Sequence, residues 1–418
     1  MVLEIRLSNF YSVKDEVILD LRAGNMQSKR AKELADNKFT FNNVDVLKVV
    51  ALYGANASGK SALIRAIRFC HAMVFESHHH NENTTFNFAP FKFAGYAKKP
   101  STYFIRFVTE AIEYEYSFSL RQTEILTESL YYYPNGRRAK VFDRNEQGGK
   151  KKKDKYSFGT SVIKRPLDVA ESTSSKTLFI SRASQMDREI PKKVFTYFHQ
   201  TFILKYLSYS IKHADAMIQS YKQLLLQALR LADSDIVDFK HKVRLGRGKN
   251  LTVNPITEEA LFKDIDTEDL EIKTYHQSSP NTPFAFAEES LGTQKLFFIM
   301  LTVLDIVKNN KVLLIDEIED SLHPHIIEYI LTIFNTSAQA QLIFSTHNTN
   351  LLDLNKLRKD QVWFVNKRAD GSTDLYSLYD YSDFRDTMNL ERAYLQGRFN
   401  AVPVIDNSHE QLQALTNG

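Results

Sequence analysis

A glycine-rich segment between residues 54 and 61 has the composition and spacing of a phosphate-binding loop. Gly54, Gly59, Lys60 and Ser61 fit the pattern G-x-x-x-x-G-K-S, which follows an apolar stretch and precedes residues with helical spacing. In such a loop the glycines let the backbone wrap a phosphate chain, the lysine reaches the β and γ phosphate oxygens, and the serine hydroxyl binds Mg²⁺. The pattern predicts ATP and Mg²⁺ as ligands, with nucleotide contacts from Asn56, Ala57, Ser58, Gly59, Lys60 and Ser61.

Two adjacent carboxylates end a second apolar segment. The run from 313 to 315 leads into Asp316 and Glu317, and the C-terminal ends of parallel strands open into the same crevice as a phosphate-binding loop. We predict that Asp316, together with Ser61, is a ligand of Mg²⁺. Glu317 is one residue further on and can orient a water molecule for in-line attack on the γ-phosphate. The alternative is a carboxylate that only caps a helix.

A third motif, Ser290-Leu291-Gly292-Thr293-Gln294, lies about 26 residues before Asp316. Ser290 is a typical first residue of a helix, where backbone N–H groups are left free. Alone it is no more than a helix start, but in this position it resembles the S-x-G signature of ABC-type ATPases. The resemblance implies that Ser290 and Gly292 contact the γ-phosphate of a nucleotide bound to a partner subunit.

Two further segments resemble elements of the same superfamily. The sequence D-S-L-H-P at 320–324 resembles its D-loop, and S-T-H-N at 345–348 resembles the strand end that carries its switch histidine. The resemblance implies that His347 contacts the γ-phosphate. A single histidine at a strand end is more often only exposed or capped, and the order of the motifs along the chain favours the functional interpretation.

Together these motifs resemble ATPase heads related to the recombination-mediator and chromosome-maintenance ATPases. The compact heads of prokaryotic antiphage systems are especially similar, among them the abortive-infection, PARIS and overcoming-lysogenization-defect ATPases. The resemblance covers most of the chain and is carried by residues 8–12, 56–61, 90–91, 289–295, 316–324, 345–348 and 394–403. It implies a role in defence against phage.

The chain departs from that family pattern in two places. No glutamine between Lys60 and Ser290 can be assigned as the Q-loop residue, and no TOPRIM-type nuclease domain follows the ATPase motifs within the sequence. An ATPase without an effector of its own implies, by the resemblance, a separately encoded nuclease or toxin that the ATPase holds and releases.

The elements around the motifs are predicted from apolar periodicity. Alternation over 3–21 predicts a β-hairpin, and alternation over 103–133 predicts an aromatic-rich antiparallel meander. The spacing over 190–243 predicts a helical insertion. After residue 290 the order is helix, strand at 312–315, helix, strand at 342–344 and strand at 362–365, which is typical of a parallel sheet.

These elements predict an α/β fold, an ABC-ATPase head with a mixed central sheet, an antiparallel β layer and an inserted helical subdomain. We place an N-terminal ATPase lobe with the antiparallel layer at 1–185, the helical insertion at 186–250, and a C-terminal ATPase lobe at 251–418. A chain of 418 residues can accommodate a main domain and an inserted subdomain.

Composition restricts the setting of the protein. The net charge of +4 is too small to require a nucleic-acid partner by itself. The single cysteine, Cys70, excludes an intramolecular disulfide framework and suits a reducing compartment. No signal peptide and no apolar run of bilayer length are visible, so we expect a soluble, cytoplasmic protein without a membrane partner.

The leading hypothesis is an ATP-hydrolysing sensor or regulatory subunit that forms a homo-oligomer and shares its nucleotide sites between heads. The alternative is a DNA-binding ATPase of DNA repair, in which Arg137, Arg138, Lys140 and the lysines at 150–153 contact phosphates. A transporter subunit is disfavoured because roughly 230 residues separate Lys60 from Ser290.

Overall fold

A computed structural model describes residues 1–204, 210–231, 235–253, 260–320 and 322–402, with only the backbone described for 247–253 and 260–267. Ser321 of the predicted D-loop, Pro403 of the segment 394–403 and the C-terminal end lie outside the described residues. The chain forms two compact units, and we describe each by itself. The first holds residues 1–204, 310–319 and 331–418, and the second holds 205–309 and 320–330.

The described chain contains strands and helices with the following bounds. The strands are β1 (Val2–Ser8), β2 (Val17–Asp20), β3 (Lys38–Phe41), β4 (Val44–Leu47), β5 (Val49–Tyr53), β6 (Ser101–Thr109), β7 (Ile112–Leu120), β8 (Ile125–Tyr132), β9 (Ala139–Asn145), β10 (Tyr156–Phe158), β11 (Phe202–Ile203), β12 (Ile236–Val253), β13 (Ala260–His276), β14 (Ser279–Ala285), β15 (Val312–Ile315), β16 (Gln341–Ser345), β17 (Val362–Lys367) and β18 (Thr373–Ser377). The α-helices are α1 (Lys29–Glu33), α2 (Lys60–Glu76), α3 (Pro166–Glu171), α4 (Phe179–Gln185), α5 (Glu189–Thr196), α6 (Ile211–Leu231), α7 (Leu291–Lys308), α8 (Pro324–Thr336) and α9 (Leu390–Leu395).

A six-stranded mixed sheet in the first unit has the order β11-β15-β16-β5-β17-β18. Strands β15, β16, β5 and β17 pair in parallel, and β18 pairs antiparallel with β17. Every residue of β5, β15 and β16 is buried, as expected for parallel strands that are covered on both faces. The predicted α/β fold with a mixed central sheet is confirmed.

A seven-stranded antiparallel sheet of the same unit has the order β10-β9-β8-β7-β6-β1-β2. In β6 and β7 buried residues alternate over much of the length with half-buried ones, and aromatic side chains such as Tyr103, Phe107 and Tyr116 are fully or almost fully buried on the inner face. One apolar core combines residues of this sheet, of the mixed sheet and of helix α2. The predicted hairpin at 3–21 and the antiparallel meander are confirmed.

The second unit contains α6, the antiparallel strands β12, β13 and β14, and α7. Phe297 of α7 makes edge contacts with Phe239 of β12 and with Phe286, at centroid distances of 5.0 and 5.1 Å. Among the described helices of the chain, none combines the length and the apolar composition that crossing a bilayer requires.

The helical insertion predicted at 186–250 contains α5, which belongs to the first unit, and α6, but it is wrong from 236 onward, where the chain forms β12. Between Phe239 and Arg244 the residues of one face are buried or half-buried, while Lys240, Lys242 and Arg244 are exposed. This is the two-residue period of a strand, not the spacing of a helix. The predicted boundary at 250 therefore falls inside a strand, and the boundary at 185 falls at the last residue of α4.

A buried ion pair between Glu128 and Arg144, 3.5 Å apart, ties the antiparallel sheet to residues 174–180, which include the start of α4. Glu128 is fully buried and accepts hydrogen bonds from the backbone N–H groups of Phe179 and Ile180, at 2.6 and 3.0 Å. Arg144 is 2% exposed and donates to the carbonyl oxygens of Thr177 and Ser174, at 2.6 and 2.9 Å. Because both charges are buried, the remaining partners cannot be hydrated once one of them is lost.

We predict that Arg144→Met lowers the free energy of unfolding by about 3 to 5 kcal/mol, since it leaves the carbonyl groups of Thr177 and Ser174 without their donor and the buried Glu128 carboxylate without its cationic partner. The matched control is Arg138→Met on the same sheet, where Arg138 is exposed and pairs with Glu115 at 2.7 Å. That variant should lose less than about 1 kcal/mol. Urea unfolding followed by circular dichroism measures both, and equal losses would contradict the prediction.

Candidate functional site

The glycine-rich loop joins the C-terminal end of β5 to the N-terminus of α2. At Gly54 an added Cβ would lie 2.2 Å from the carbonyl oxygen of Val365, and at Gly59 it would lie 2.0 Å from Oγ1 of Thr373. Gly59 also has a φ of +114°, a left-handed conformation that suits glycine. Both positions thus exclude a side chain, and the loop backbone lies close against β17 and β18.

Lys60, the first residue of α2, points back into the loop. Its side chain is 5% exposed, and Nζ donates to the carbonyl oxygens of Gly54 and Ala55 at 2.7 and 3.2 Å. An ammonium group has three donors, so one remains for a ligand. Burial lowers the pKa of Lys60 to about 8, and the nearby carboxylates of Asp316, Glu319 and Glu317 oppose that shift.

The other predicted loop residues fall into two groups. Asn56 and Ala57 are exposed at the tip of the loop, Ser61 is half-buried, and Ser58 is 3% exposed. Oγ of Ser58 is buried and has no hydrogen-bond partner among the described residues. Such a group costs free energy unless it finds a partner, so its position fits a loop that receives a polar ligand.

Thr373, at the start of β18, braces the loop and was missed by the sequence analysis. Its Oγ1 contacts Oγ of Ser12 at 2.7 Å and donates to the carbonyl oxygen of Ser58 at 3.1 Å. Its N–H donates to the carbonyl oxygen of Ser12 at 2.7 Å. These contacts place Ser12, in the segment 8–12 that carries part of the family resemblance, beside the loop.

The carboxylates at the end of β15 are fixed by the neighbouring strand. Oγ of the fully buried Ser345, the last residue of β16, donates to Oδ1 of Asp316 at 2.5 Å and accepts the N–H of Glu317 at 2.8 Å. Glu317 has a φ of +52° and its side chain is exposed, whereas Asp316 is half-buried. The two carboxylates therefore differ in environment, as the roles predicted for them require.

His347 follows β16, and its backbone N–H donates to Oε1 of Glu319 at 2.5 Å. Burial lowers the pKa of its imidazole, the positive charge of Lys60 lowers it further, and the carboxylates of Glu319, Glu317 and Asp316 raise it. The imidazole therefore lies within electrostatic range of Lys60 in the phosphate loop and of these three carboxylates. A neutral imidazole can donate a hydrogen bond to an anion without repelling the lysine.

The strand order brings these side chains together. Strand β16 lies between β5 and β15, and all three run in parallel, so their C-terminal ends share one edge of the sheet. The end of β5 leads into the phosphate loop with Lys60 and Ser61. The end of β15 leads into Asp316 and Glu317, and His347 follows the end of β16. The predicted residues of the first unit therefore form a single cluster.

The remaining predicted residues belong to the second unit. Ser290 caps α7 and accepts the N–H of Thr293 at 3.0 Å, and an added Cβ at Gly292 would meet no atom closer than Oγ of Ser290 at 3.7 Å. Leu291 between them is 75% exposed. In the described part of the D-loop, Asp320 pairs with Lys295 at 3.4 Å. The motif at 290–294 is thus an open helix N-terminus.

The donor set of the cluster fits a nucleotide with Mg²⁺. Phosphate oxygens can accept hydrogen bonds from the free N–H of Lys60, from the backbone of a loop that excludes side chains, and from the N-terminus of α2. The Ser61 hydroxyl and the Asp316 carboxylate supply oxygen ligands, which Mg²⁺ prefers, and this ion usually takes its other ligands from phosphates and water. The buried hydroxyl of Ser58 adds a group that needs a polar partner.

Most of the chain matches a family of known proteins. A family described as "AAA domain, putative AbiEii toxin, Type IV TA system" matches residues 49–353, a range that includes the phosphate loop, both carboxylates and His347. Among curated proteins no sequence matches the chain.

Solved structures of chromosome-maintenance heads resemble the chain at low identity. An SmcHead bound to the C-winged helix domain of ScpA is 15% identical over 94% of this chain and 99% of that chain, with a TM-score of 0.40. The SMC head domain from Thermotoga maritima is 14% identical over 90% and 98%, with a TM-score of 0.40. An Smc head with an extended coiled coil, bound to the C-terminal domain of ScpA derived from Pyrococcus furiosus, is 14% identical over 96% and 99%, at 0.38.

We predict that affinity for Mg-ATP falls as the pH rises above the pKa of Lys60, which burial lowers to about 8. Phosphate favours the ammonium form, so the dissociation constant should increase by a factor that approaches about ten per pH unit. Calorimetric titrations between about pH 7 and about pH 9.5 measure this slope, with Lys151→Ala, which removes an exposed lysine, as a control. A constant affinity over that range would contradict the assignment.

Proposed function

Because the chain belongs to this AAA-domain family, we propose that it is an ATPase of the ABC type that binds ATP with Mg²⁺ and hydrolyses it to ADP and phosphate. The observation that carries the proposal is the hydrogen bond from Ser345 to Asp316. Ser345 ends β16, which pairs with β5, the strand that leads into the phosphate loop, so this contact holds the Asp316 carboxylate next to that strand pair. Lysine, hydroxyl and carboxylates for phosphoryl transfer thereby meet at one sheet edge.

In the proposed mechanism Lys60 uses its free N–H on the β and γ phosphate oxygens, while the loop backbone and α2 orient the phosphate chain. Asp316 and the Ser61 hydroxyl are the protein groups that hold Mg²⁺, which neutralises charge on the phosphates when bound. The contact with Ser345 keeps the Asp316 carboxylate in one orientation and satisfies one of its lone pairs.

Glu317 and His347 act on the reacting end of the phosphate. The exposed carboxylate of Glu317 accepts a proton from, and orients, the attacking water. His347 donates a hydrogen bond to a γ-phosphate oxygen from an imidazole whose pKa is lowered by burial and by Lys60. Positioning and charge stabilisation account for most of the catalysis in this class of reaction.

We propose that a second copy of the chain completes each nucleotide site. Ser290 and Gly292 begin a helix whose N-terminus is open, and the neighbouring Leu291 is 75% exposed, which suits a surface that another subunit covers. A γ-phosphate bound to Lys60 of one head would then contact the N–H groups of this motif from the other head. ATP binding would thus be linked to association of the heads.

The biological role that we propose is control of a separately encoded nuclease or toxin in an antiphage defence system of the cytoplasm. The description of the matched family refers to the AbiEii toxin and to a type IV toxin–antitoxin system. The matched residues, 49–353, include all the ATPase motifs. The ATP state of the heads would determine whether the effector is held or released.

DNA binding is the second candidate, supported by four exposed basic side chains at Arg137, Lys150, Lys151 and Lys153. Other residues of that predicted surface are engaged within the chain. Arg138 pairs with Glu115, Lys140 pairs with Asp143 at 3.1 Å, and Lys152 donates to the carbonyl oxygen of Thr173. Replacing the three exposed lysines by glutamine should abolish any salt-sensitive DNA retention if this surface binds phosphates.

We predict that Glu317→Gln, which keeps the shape of the side chain but removes the base, traps an ATP-bound assembly of higher mass. Light scattering with and without Mg-ATP measures it, and Lys60→Ala, which removes the phosphate contact, is the control that should show no nucleotide dependence. A monomer that is unchanged by Mg-ATP would contradict the shared site, whereas an oligomer unchanged by Mg-ATP would assign ATP to switching within a stable assembly.

We further predict that Lys60→Ala abolishes phage protection, or the growth arrest caused by the effector, in cells that carry the natural partner gene. The reason is that effector control depends on the ATP state, and this variant cannot adopt it. Plaque counts relative to wild-type protein give the readout. Full protection by Lys60→Ala at equal protein level would contradict the coupling of ATP to the effector.

A further inference from the structure

The loop that carries His347 is held by carboxylates on two sides. On one side the backbone N–H of His347 donates to Oε1 of Glu319, two residues after Glu317, at 2.5 Å. On the other side Oγ1 of Thr349 donates to Oε1 of Glu391 at 2.6 Å. Hydrogen bonds to a charged acceptor are stronger than those between neutral groups, so both contacts restrict the loop.

Glu391 belongs to α9, and α9 is fixed to the sheet that carries the phosphate loop. Asn389 caps this helix by accepting the N–H of Arg392 at 2.7 Å. The ring of Tyr394 stacks on Phe364 of β17 and makes an edge contact with Tyr53, the residue before Gly54, at 5.8 and 6.0 Å. The Thr349 contact therefore connects the loop to a rigid support.

The same region retains polar groups whose hydrogen bonding is incomplete. Oε2 of Glu319, Nδ2 of Asn348 and the hydroxyl of Tyr53 are buried without a partner among the described residues. Burial raises the pKa of Tyr53, and the carboxylates of Glu319 and Glu391 raise it further, so these groups lie in one electrostatic neighbourhood. A loop with unsatisfied groups beside it depends on its existing contacts to stay in place.

We propose that Glu319 and Glu391 are positioning residues for hydrolysis, and that α9 holds the His347 loop in its working position through Thr349. This inference rests on the proposed ATPase function and extends it to a C-terminal element that contains none of the ATPase motifs. Each carboxylate acts by fixing the loop from which the imidazole reaches the γ-phosphate.

The expected effect is on turnover and not on nucleotide binding. ATP is held mainly by the phosphate loop and Lys60, which the Thr349 contact does not touch. Loss of that contact releases the loop that positions His347, and a misplaced catalytic group lowers kcat. A general loss of structure would instead weaken binding and turnover together.

The test compares Thr349→Val, which keeps the shape but removes the hydroxyl, with Thr349→Ser, which keeps the hydroxyl. We expect kcat for ATP hydrolysis to fall about tenfold in Thr349→Val, with an unchanged dissociation constant for Mg-ADP, and to stay near wild type in Thr349→Ser. Glu391→Leu, which removes the acceptor, should lower kcat similarly. Arg392→Gln, on the next and exposed residue of α9, is the matched control.

A double-mutant cycle completes the test. If Thr349 and Glu391 act through one hydrogen bond, Thr349→Val combined with Glu391→Leu should be no slower than the slower single variant. Three results would overturn this inference alone, provided that the wild-type protein hydrolyses ATP. They are an unchanged kcat in Thr349→Val, equal losses of kcat in Thr349→Val and Thr349→Ser, and additive losses in the double variant. A wild-type protein that binds Mg-ATP and does not hydrolyse it would overturn the proposed function and this inference with it.

Discussion

The parallel pairing of β5, β16 and β15 is the constraint on which the site depends. In this register Ile315 lies opposite Phe344, and Phe344 lies opposite Ala51, so the three strands end side by side. Ser345 can then bridge to Asp316 and to the N–H of Glu317. A shift of one residue would turn the Ser345 side chain to the other face of the sheet and remove both contacts.

The phosphate loop is shaped by elements distant in sequence as well as by its own motif. The close approach of Val365 and Thr373 leaves no space for a Cβ at Gly54 or Gly59. Thr373 in turn is joined to Ser12 of the N-terminal hairpin. Residues 361 positions apart in sequence therefore meet at the loop, and the antiparallel sheet, which includes β1 and β2, has a direct structural connection to the candidate nucleotide site.

Local patterns were sufficient to predict the strand, loop and helix around Lys60, the strand before Asp316 and the antiparallel meander, because each depends on periodicity or on spacing within a short segment. The contacts of Thr373, Glu319 and Glu391 could not be predicted in this way, since they join residues far apart in sequence or depend on side-chain orientation. The strand β12 was predicted as helix because short apolar runs with interspersed charges fit both periods when no tertiary partner is known. Phe239 is buried in its unit, and its edge contact with Phe297 supplies such a partner.

The electrostatics of the cluster explain why a divalent cation belongs to the proposed reaction. Burial lowers the pKa values of both Lys60 and His347, which favours a neutral imidazole and leaves Lys60 as the main positive charge of the cluster. Asp316, Glu317 and Glu319 lie close enough to affect both groups, and a triphosphate placed in the loop would face these carboxylates. One lysine cannot offset that repulsion. A cation held by Asp316 and the Ser61 hydroxyl would convert the Asp316 carboxylate from a repelling group into a ligand, and this would leave Glu317 free to act on water.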